Sequence, residues 1–247
     1  MNSCYFYAYE QYRKGERIEM SDVSVVRTEK KYSISLCQQS RLLHRLEPVM
    51  RVDRYSSIRG YMVRSLYFDS IYDNDYFDKI SGLEMRKKVR LRIYSPEQTS
   101  VKLELKQKQG AAQKKISLTI PRALAEEMIH GQYAGLLELN SDLGWMFYQI
   151  LETGLYRPKC IIEYHRIAFA EECNNIRITM DSDIGMSAFV DRFFDAQSNL
   201  IPVRSEPVLE VKYNGFLLSP IKQALNLADV PEVAVSKYAM CRQALGM

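Results

Sequence analysis

The sequence predicts an α+β domain dominated by an antiparallel β-sheet, and three observations support this. Segments with strand-like patterns outnumber helical ones, most are joined by short turns, and several alternate charged with apolar residues. The chain has 247 residues, of which 47% are hydrophobic and 26% charged, which excludes disorder as its main state. Residues 1–22 lack the periodic pattern of apolar residues that indicates a helix or a strand. We therefore predict an N-terminal arm or edge segment there and a single domain over residues 23–247.

The first half of the chain contains a strand, a helix and then a series of strands. Residues 23–34 have a strand pattern, and Ser35 to Gln38 has the spacing of a capping box, which predicts the helix that we place at 36–50. The polar segment after the strand predicted at residues 61–69 can hold one short helix that ends at Gly82. The further strands predicted in this half cover residues 61–69, 86–94, 99–109 and 114–120.

The second half combines helices with the remaining strands. A proline and a glycine at suitable positions bound a helix at 121–130, and apolar spacing predicts another at 136–152. Ser219 and the proline after it open a short helix, and Ser236 caps a final helix that ends before Gly246. The strands predicted in this half cover residues 159–170, 176–181 and 208–214.

Composition and motifs exclude several classes of protein. The sequence has no GxGxxG, GxxxxGK[ST] or GxSxG motif, so the fingerprints of dinucleotide-binding proteins, P-loop enzymes and α/β-hydrolases are missing. No apolar run is long enough for a membrane helix, and the N-terminal residues predict no secretion signal. The five cysteines are scattered without a CxxC pair, which is typical of the reducing cytosol and predicts a cytoplasmic protein.

Charged side chains share one face of most predicted strands, because alternate residues of a strand point to opposite faces. For a single strand, exposure to solvent is the simpler explanation, but the faces taken together carry mainly one sign of charge. Their basic residues are Lys31, Lys88, Arg90, Arg92, Lys102, Lys106, Lys108, Arg166, Arg177 and Lys212, and their acidic residues are Glu29, Glu104, Asp181 and Glu210. A face of one sign repels itself unless an anion neutralises it.

A sheet with such faces can curl into a barrel whose interior is a cationic tunnel, with its apolar faces outward under helices. Phosphate suits this interior, since arginine offers a planar fork to its oxygens and lysine a point charge. Carboxylates beside phosphates are unfavourable unless they hold a divalent cation, which predicts bound Mg²⁺ or Mn²⁺. A nucleic-acid partner is disfavoured, because the basic residues alternate with apolar ones instead of forming an exposed basic tract.

Eight short motifs occur in order along nearly the whole chain. They are EKKY at 29–32, SLYFD at 65–69, RLRIY at 90–94, ELKQK at 104–108, YHRIAF at 164–169, RITMD at 177–181, EVK at 210–212 and SKY at 236–238. In this order they resemble the VTC domain, the polyphosphate polymerase domain of the vacuolar transporter chaperone complex, within the triphosphate tunnel metalloenzymes that include CYTH-type triphosphatases. The resemblance implies an α+β fold with an eight-stranded antiparallel β tunnel or barrel and flanking helices.

The resemblance also implies roles for individual residues. Those that would grip the phosphates of the nucleotide and the product chain form the predicted catalytic set: Arg90, Arg92, Lys106, Arg166, Arg177 and Lys237. The predicted substrate-binding residues are Lys31, Lys108, Tyr164, Lys212 and Ser236. Glu210 matches the glutamate that binds Mn²⁺ or Mg²⁺, and Glu104 is predicted as a further metal ligand. Ala234 stands where the family pattern has a basic residue, so one phosphate contact is expected to be missing.

The function implied is that of a metal-dependent phosphotransferase, a polyphosphate polymerase that moves the γ-phosphate of ATP onto a growing polyphosphate chain. Two alternatives stay open. The same tunnel could admit water and hydrolyse triphosphate or nucleoside triphosphates, or it could bind polyphosphate without catalysis. The expected ligands are ATP and polyphosphate or triphosphate. The sequence leaves a membrane partner open and predicts no membrane segment of its own.

Overall fold

The computed structural model describes residues 27–53, 56–57, 59–110, 112–227 and 230–246, which form an antiparallel sheet with helices against it. The strands are β1 (Arg27–Ser33), β2 (Arg51–Val52), β3 (Tyr61–Ser70), β4 (Met85–Ile93), β5 (Ser100–Gln109), β6 (Ala112–Pro121), β7 (Tyr156–Glu171), β8 (Ile176–Ser187), β9 (Ile201–Arg204) and β10 (Val208–Asn214). Eight of them follow the order β1-β10-β8-β7-β3-β4-β5-β6, while β2 pairs with β7 and β9 with β8. The predicted eight-stranded antiparallel sheet with flanking helices is confirmed.

The described residues also form six α-helices and three short 3₁₀ segments. The α-helices are α1 (Leu36–Leu46), α2 (Asn74–Ile80), α3 (Arg122–Ile129), α4 (Asp142–Thr153), α5 (Ser219–Leu225) and α6 (Lys237–Ala244), and the 3₁₀ segments are Ala134–Leu139, Cys173–Asn175 and Val190–Phe194. The predicted capping box of α1 is confirmed, because the Gln38 backbone N–H donates to Ser35 Oγ and the Ser35 backbone N–H donates to Gln38 Oε1. None of these helices is long and apolar enough to cross a membrane.

The apolar faces of the strands carry the hydrophobic cores, which lie between the sheet and the helices. On β4, Val89, Leu91 and Ile93 are fully buried together with residues of α3 and α4. A second cluster joins Ile178 of β8 and Leu209 of β10 to residues of α1 and α5. Burying one such side chain stabilises the fold by about 1.5–3 kcal/mol. The alternate residues of these strands, which are largely charged, therefore face the other side of the sheet.

The sheet curves until strands that are distant in its order face each other. Four strands separate β5 from β10 along the sheet, yet Lys106 on β5 lies close enough to Lys212 and Glu210 on β10 for their charges to act on it. In the same way Lys31 on β1 acts on Lys88 on β4. In the described part of the chain β1 and β6 remain the two free edges of this path. The charged faces thus line one interior, although the sheet is not closed.

The prediction of one helix at 136–152 was wrong, because the chain forms a 3₁₀ segment and then α4. Asn140 separates them in a left-handed conformation with φ of 47°, and the Ser141 side chain caps α4 by accepting from the Gly144 backbone N–H at 3.0 Å. A Cβ at position 144 would collide with the backbone carbonyl of Leu136. The break therefore depends on a short polar residue, a cap and a glycine in succession.

Other boundaries differ by smaller amounts. The first helix ends at Leu46 instead of residue 50, and β8 continues beyond the predicted residue 181 to Ser187. The short strands β2 and β9 were not predicted, since too few residues are present to show a period. Residues 1–22, predicted as an arm, and the predicted strand residues 23–26 lie outside the described residues. The single domain over residues 23–247 stays a prediction.

Candidate functional site

The first group of ion pairs in the interior is centred on Glu104 of β5, which is 2% exposed. Its Oε2 accepts from Arg90 Nε at 2.8 Å and lies 3.8 Å from Arg92 Nη1, while its Oε1 is paired with Lys115 of β6. Burial raises the pKa of Glu104, but Arg90, Arg92 and Lys115 outweigh burial and lower the pKa to about 2. The carboxylate is therefore ionised, and both its oxygens have cationic partners.

Hydroxyl groups of β3 and β7 fix the two arginines of this group. Arg90 Nη1 donates to Tyr67 Oη at 3.0 Å. Arg92 Nε donates to Ser65 Oγ at 3.2 Å, and its Nη2 donates to Tyr164 Oη at 3.2 Å. Each guanidinium group keeps further donors that can bind an anion, because it carries five N–H groups. The arrangement orients these arginines before any ligand binds.

The second group is centred on Asp181 of β8, which is fully buried. Arg166 of β7 binds it through two hydrogen bonds of 2.6 and 2.8 Å, and Lys237 Nζ, from the first residue of α6, donates to it at 2.6 Å. Burial raises the pKa of Asp181, but Lys237 and Arg166 lower it to about 2. Both cations also lie over the ring of Tyr164, at 5.1 Å for Arg166 and 4.7 Å for Lys237. Tyr164 therefore links the first two groups.

The third group joins two carboxylates on the adjacent strands β1 and β10. Lys212 Nζ lies 3.0 Å from Glu210 and 3.9 Å from Glu29, and Lys31 Nζ lies 3.4 Å from Glu29 and 3.8 Å from Glu210. Burial raises the pKa of Glu210, but Lys212, the contact with the Glu29 side chain and Lys31 lower it well below its usual range. Two carboxylates thus lie side by side, bridged by two lysines.

The third group fits a divalent cation better than the first. Its carboxylates are hard oxygen donors, and Mg²⁺ commonly takes one or two carboxylates together with substrate phosphates. Next to Glu210 in the sheet, Thr179 Oγ1 is buried without a hydrogen-bond partner among the described residues, which leaves a polar atom available to a ligand. Glu104 has both oxygens engaged by cations. The described residues contain no cluster of three or more His, Cys, Asp or Glu side chains that could hold a metal.

Five further cations of the same interior form what we call the cationic lane. They are Lys79, Arg86, Lys88, Lys106 and Lys108. Within the described ranges, none of the five forms an ion pair with a carboxylate. Arg90 and burial lower the pKa of Lys106 well below its usual range. Burial and the charges of Lys31, Lys79 and Arg90 lower that of Lys88 to about 7.

The α2 helix brings Lys79 to one end of the lane. Burial, Arg86, Lys31 and Lys108 lower the pKa of Lys79, so this residue lies close to cations from three strands. Lys88 donates from its Nζ to Ser236 Oγ at 2.8 Å, which connects the lane to the cap of α6. The lane is an uncompensated positive region that an extended anion would neutralise.

The interior brings together most of the residues that the sequence predicted for the site. Those in or directly beside the three groups and the lane are Lys31, Arg90, Arg92, Glu104, Lys106, Lys108, Tyr164, Arg166, Glu210, Lys212, Ser236 and Lys237. Arg177 lies opposite Lys212 of the third group in the sheet, and its Nη1 pairs with Asp53 Oδ2 at 2.8 Å. Ala234 is exposed beside β1, where the Val233 N–H donates to the Lys31 carbonyl at 2.8 Å.

Sequence reasoning did not select several residues that the structure adds to the site. Strand alternation placed Glu29, Lys88 and Asp181 on the charged faces of their strands, but no role in the site was predicted for them. Lys79 lies on a short helix and Asp53 follows a two-residue strand, and neither had a usable signal. A strand pattern assigns a residue to a face, but the partner across the interior depends on how the sheet curves.

Comparison with known proteins gives the following matches. A family model described as VTC domain matches residues 26–246. None of the curated proteins matches the sequence. One similar solved structure is a provisionally named adenylate cyclase (bh2851) from Bacillus halodurans, with 13% identity, a TM-score of 0.48, and coverage of 86% of this chain and 94% of that one.

Two further solved structures are similar at the same low level of identity. The PH1819 protein from Pyrococcus horikoshii OT3 has 11% identity and a TM-score of 0.45, with 88% of this chain and 99% of that chain covered. A second provisionally named adenylate cyclase, from Vibrio parahaemolyticus, has 12% identity and a TM-score of 0.48, with 87% of this chain and 97% of that chain covered.

Proposed function

The chain belongs to the VTC domain family, and from this premise we propose that it is a polyphosphate polymerase that transfers the γ-phosphate of ATP to a polyphosphate chain. The observation that carries the proposal is the cationic lane, a row of basic side chains without carboxylate partners that continues the acid-paired cations of the same interior. A triphosphate would need only a few of these cations. The length of the positive region favours a longer phosphate chain.

The acid-paired cations would hold the reacting phosphates. Arg90, Arg92, Arg166 and Lys237 are oriented by buried carboxylates and hydroxyl groups, so little reorganisation is needed when charge develops on the transferred group. Arginine can bind phosphate through two parallel hydrogen bonds, which fixes the direction of the phosphate as well as its position. Tyr164 lies between the two pairs of cations and can donate its hydroxyl proton to a phosphate oxygen.

The transfer itself requires alignment more than covalent help from the protein. A terminal oxygen of the polyphosphate chain attacks the γ-phosphorus of ATP, the new P–O bond forms, and the bond between the γ-phosphorus and the β–γ bridging oxygen breaks to release ADP. The attacking oxygen is already an anion, so no strong general base is needed. Each cycle converts one ATP and a chain of n phosphates into ADP and a chain of n+1.

Glu210 and Glu29 would hold the Mg²⁺ or Mn²⁺ ion. When bound, such an ion neutralises charge on the β- and γ-phosphates and helps to align them. Lys31 and Lys212 already contact both carboxylates. When the cation binds to these carboxylates, the two ammonium groups would be able to contact the phosphates. Glu104 would act differently, as the acidic partner that orients Arg90.

Incubation of the purified chain with ATP and Mn²⁺ tests the proposal, with products resolved on a gel for chains and by a separate assay for free phosphate. A polymerase yields long chains and ADP in step with ATP loss. Free phosphate without chains would instead identify a hydrolase with the same interior. Binding of polyphosphate without ATP turnover would identify a non-catalytic binding module, and in that case the Ala234→Lys variant asks whether the missing basic residue is the cause.

A further inference from the structure

An aromatic pair stands at the end of the interior opposite to the cationic lane. Tyr94 directly follows β4 and continues the alternation of Arg90 and Arg92, whereas the lane residues of β4 lie at its beginning. Tyr61 is the first residue of β3, and its ring centroid lies 5.8 Å from that of Tyr94 with an interplanar angle of 59°. Tyr94 is 43% exposed, so one of the two rings is open to a ligand.

Charged groups frame this aromatic pair. Arg177 Nη2 donates to Tyr61 Oη at 3.5 Å, and its Nη1 pairs with the buried Asp53 at 2.8 Å. Burial raises the pKa of Tyr61 against the opposing effect of Arg166 and Arg177, so Tyr61 lies close to both arginines. The pair is therefore directly continuous with the acid-paired cations.

The backbone at Gly60, directly before Tyr61, passes close to the backbone of β7. Gly60 has a φ of 77°, a left-handed conformation that favours glycine. A Cβ at this position would collide with the backbone carbonyl of Arg166. Glycine at position 60 thus allows β3 to begin directly against β7, which fixes the Tyr61 ring beside the entrance to the interior.

We propose that Tyr61 and Tyr94 bind the nucleobase of the nucleotide donor by stacking, with Arg177 beside the sugar or base. This inference rests on the proposed function and adds a direction to it. The nucleotide would enter from the aromatic end with its phosphates toward Arg166, and the phosphate chain would occupy the cationic lane at the other end. Every base has a π-face on which a tyrosine can stack, so ATP and GTP are bound with similar affinity.

The test compares the affinities of ATP and inorganic triphosphate for the wild type and for Tyr94→Ala by calorimetry in EDTA. Stacking on one aromatic side chain changes affinity enough that Tyr94→Ala should weaken ATP binding about tenfold and leave triphosphate binding within about twofold. Tyr94→Phe keeps the ring and should bind both ligands like the wild type. Tyr72→Ala is the matched control, because Tyr72 is a 68% exposed tyrosine that precedes α2 at the other end.

The ratio of the two affinities decides between the outcomes. Equal weakening of ATP and triphosphate by Tyr94→Ala, or no change in either, overturns the nucleobase site while leaving the proposed function standing. A wild-type protein that binds neither ligand overturns the proposed function and the nucleobase site with it. Because Tyr94 is exposed, its variants should keep the melting temperature of the wild type, which thermal melts of these variants check with Tyr72→Ala as the control.

Discussion

Arg166 and Lys106 line the same interior, but their surroundings act on their charges in opposite directions. Burial lowers the pKa of Arg166, yet Tyr164 and Asp181 outweigh burial and raise it well above its usual range. Lys106 has no carboxylate partner among the described residues, and Arg90 together with burial lowers its pKa well below the usual range. The first cation is stabilised by the protein itself, whereas the second is stabilised only when an anion arrives.

This difference indicates a division of labour along the interior. Cations held by buried acids keep their geometry in the empty protein, which suits the place where phosphate is transferred and charge develops. Unpaired cations repel each other in the empty protein, and that repulsion is relieved by any anion that binds only the folded state. Such a region suits a substrate that must be bound firmly yet move forward after each addition, because its contacts are point charges without fixed geometry.

The largest effect should follow from removing an acid in the paired region. Asp181→Asn removes the buried counter-ion that Arg166 and Lys237 share, which should lower the free energy of unfolding by about 3 kcal/mol. Triphosphate should restore part of the melting temperature, since it can take the place of the lost charge. Denaturant unfolding and thermal melts measure both changes. Asp183 is an exposed neighbour of Asp181, and Asp183→Asn should change stability by less than about 0.5 kcal/mol. An equal loss of stability in both variants would contradict the distinction between paired and unpaired cations.

The next largest effect concerns the carboxylate pair between the two regions. Glu210→Gln keeps the size of the side chain and removes the charge that would hold the metal, so we expect turnover with Mn²⁺ to fall at least about 100-fold, the scale of a lost group that stabilises the transition state. Triphosphate binding in EDTA should stay equal or become tighter, because one negative charge leaves the interior. Glu172→Gln, on the exposed turn after β7, is the control. Wild-type turnover of Glu210→Gln at limiting Mn²⁺ would refute the role of Glu210.

The sequence alone predicts which side of a strand is packed and which is charged, but not which of the charged residues pair with each other. The alternation of Val89 and Leu91 with Arg90 correctly predicted which side of β4 is packed and which is charged. It could not predict that Glu104 would be bound by three cations while Lys106, two residues later on the same face, has no acidic partner in the described structure. That difference arises from strand register, because Glu104 lies opposite Arg90, whereas Lys106 lies opposite Lys88 on β4 and Lys115 on β6. Alternation assigns each residue to a face but does not specify which residues of the neighbouring strands lie opposite it.

Removing a lane cation should weaken binding without weakening the fold. Lys106→Met deletes a charge that Arg90, burial and Lys212 disfavour in the empty protein more than Glu210 favours it, so the melting temperature should not fall. The affinity for polyphosphate should drop about tenfold, the scale of one hydrogen bond to a charged group. Calorimetry with a defined polyphosphate measures the loss, and Lys222→Met on the exposed side of α5 provides the control. A destabilised Lys106→Met variant with unchanged affinity would show that the lane is structural.

The smallest effect is the pH dependence that Lys88 of the lane contributes, which a Lys88 variant separates from that of the nearby Asp75, whose pKa burial and Asp69 also raise to about 7. Lys88, with its pKa lowered to about 7 by burial and by Lys31, Lys79 and Arg90, is charged at pH 6 and largely neutral at pH 8. Binding of an anion at pH 8 then requires protonation of Lys88, so sulfate, which does not titrate in this range, should bind up to about tenfold more weakly at pH 8 than at pH 6. Lys88→Met should remove the difference.

Stability should change with pH in the opposite sense, which separates the two effects. Between pH 7 and the usual pKa of a lysine, the unfolded chain binds a proton at residue 88 that the folded chain does not, so the contribution of Lys88 to the free energy of unfolding rises with pH and is lowest below pH 7. Sulfate affinity is therefore measured directly by calorimetry at 25 °C instead of by thermal shift. A sulfate affinity that is the same at pH 6 and pH 8 in the wild type, or that changes equally in Lys88→Met, would show that Lys88 does not bind the anion and would remove it from the lane.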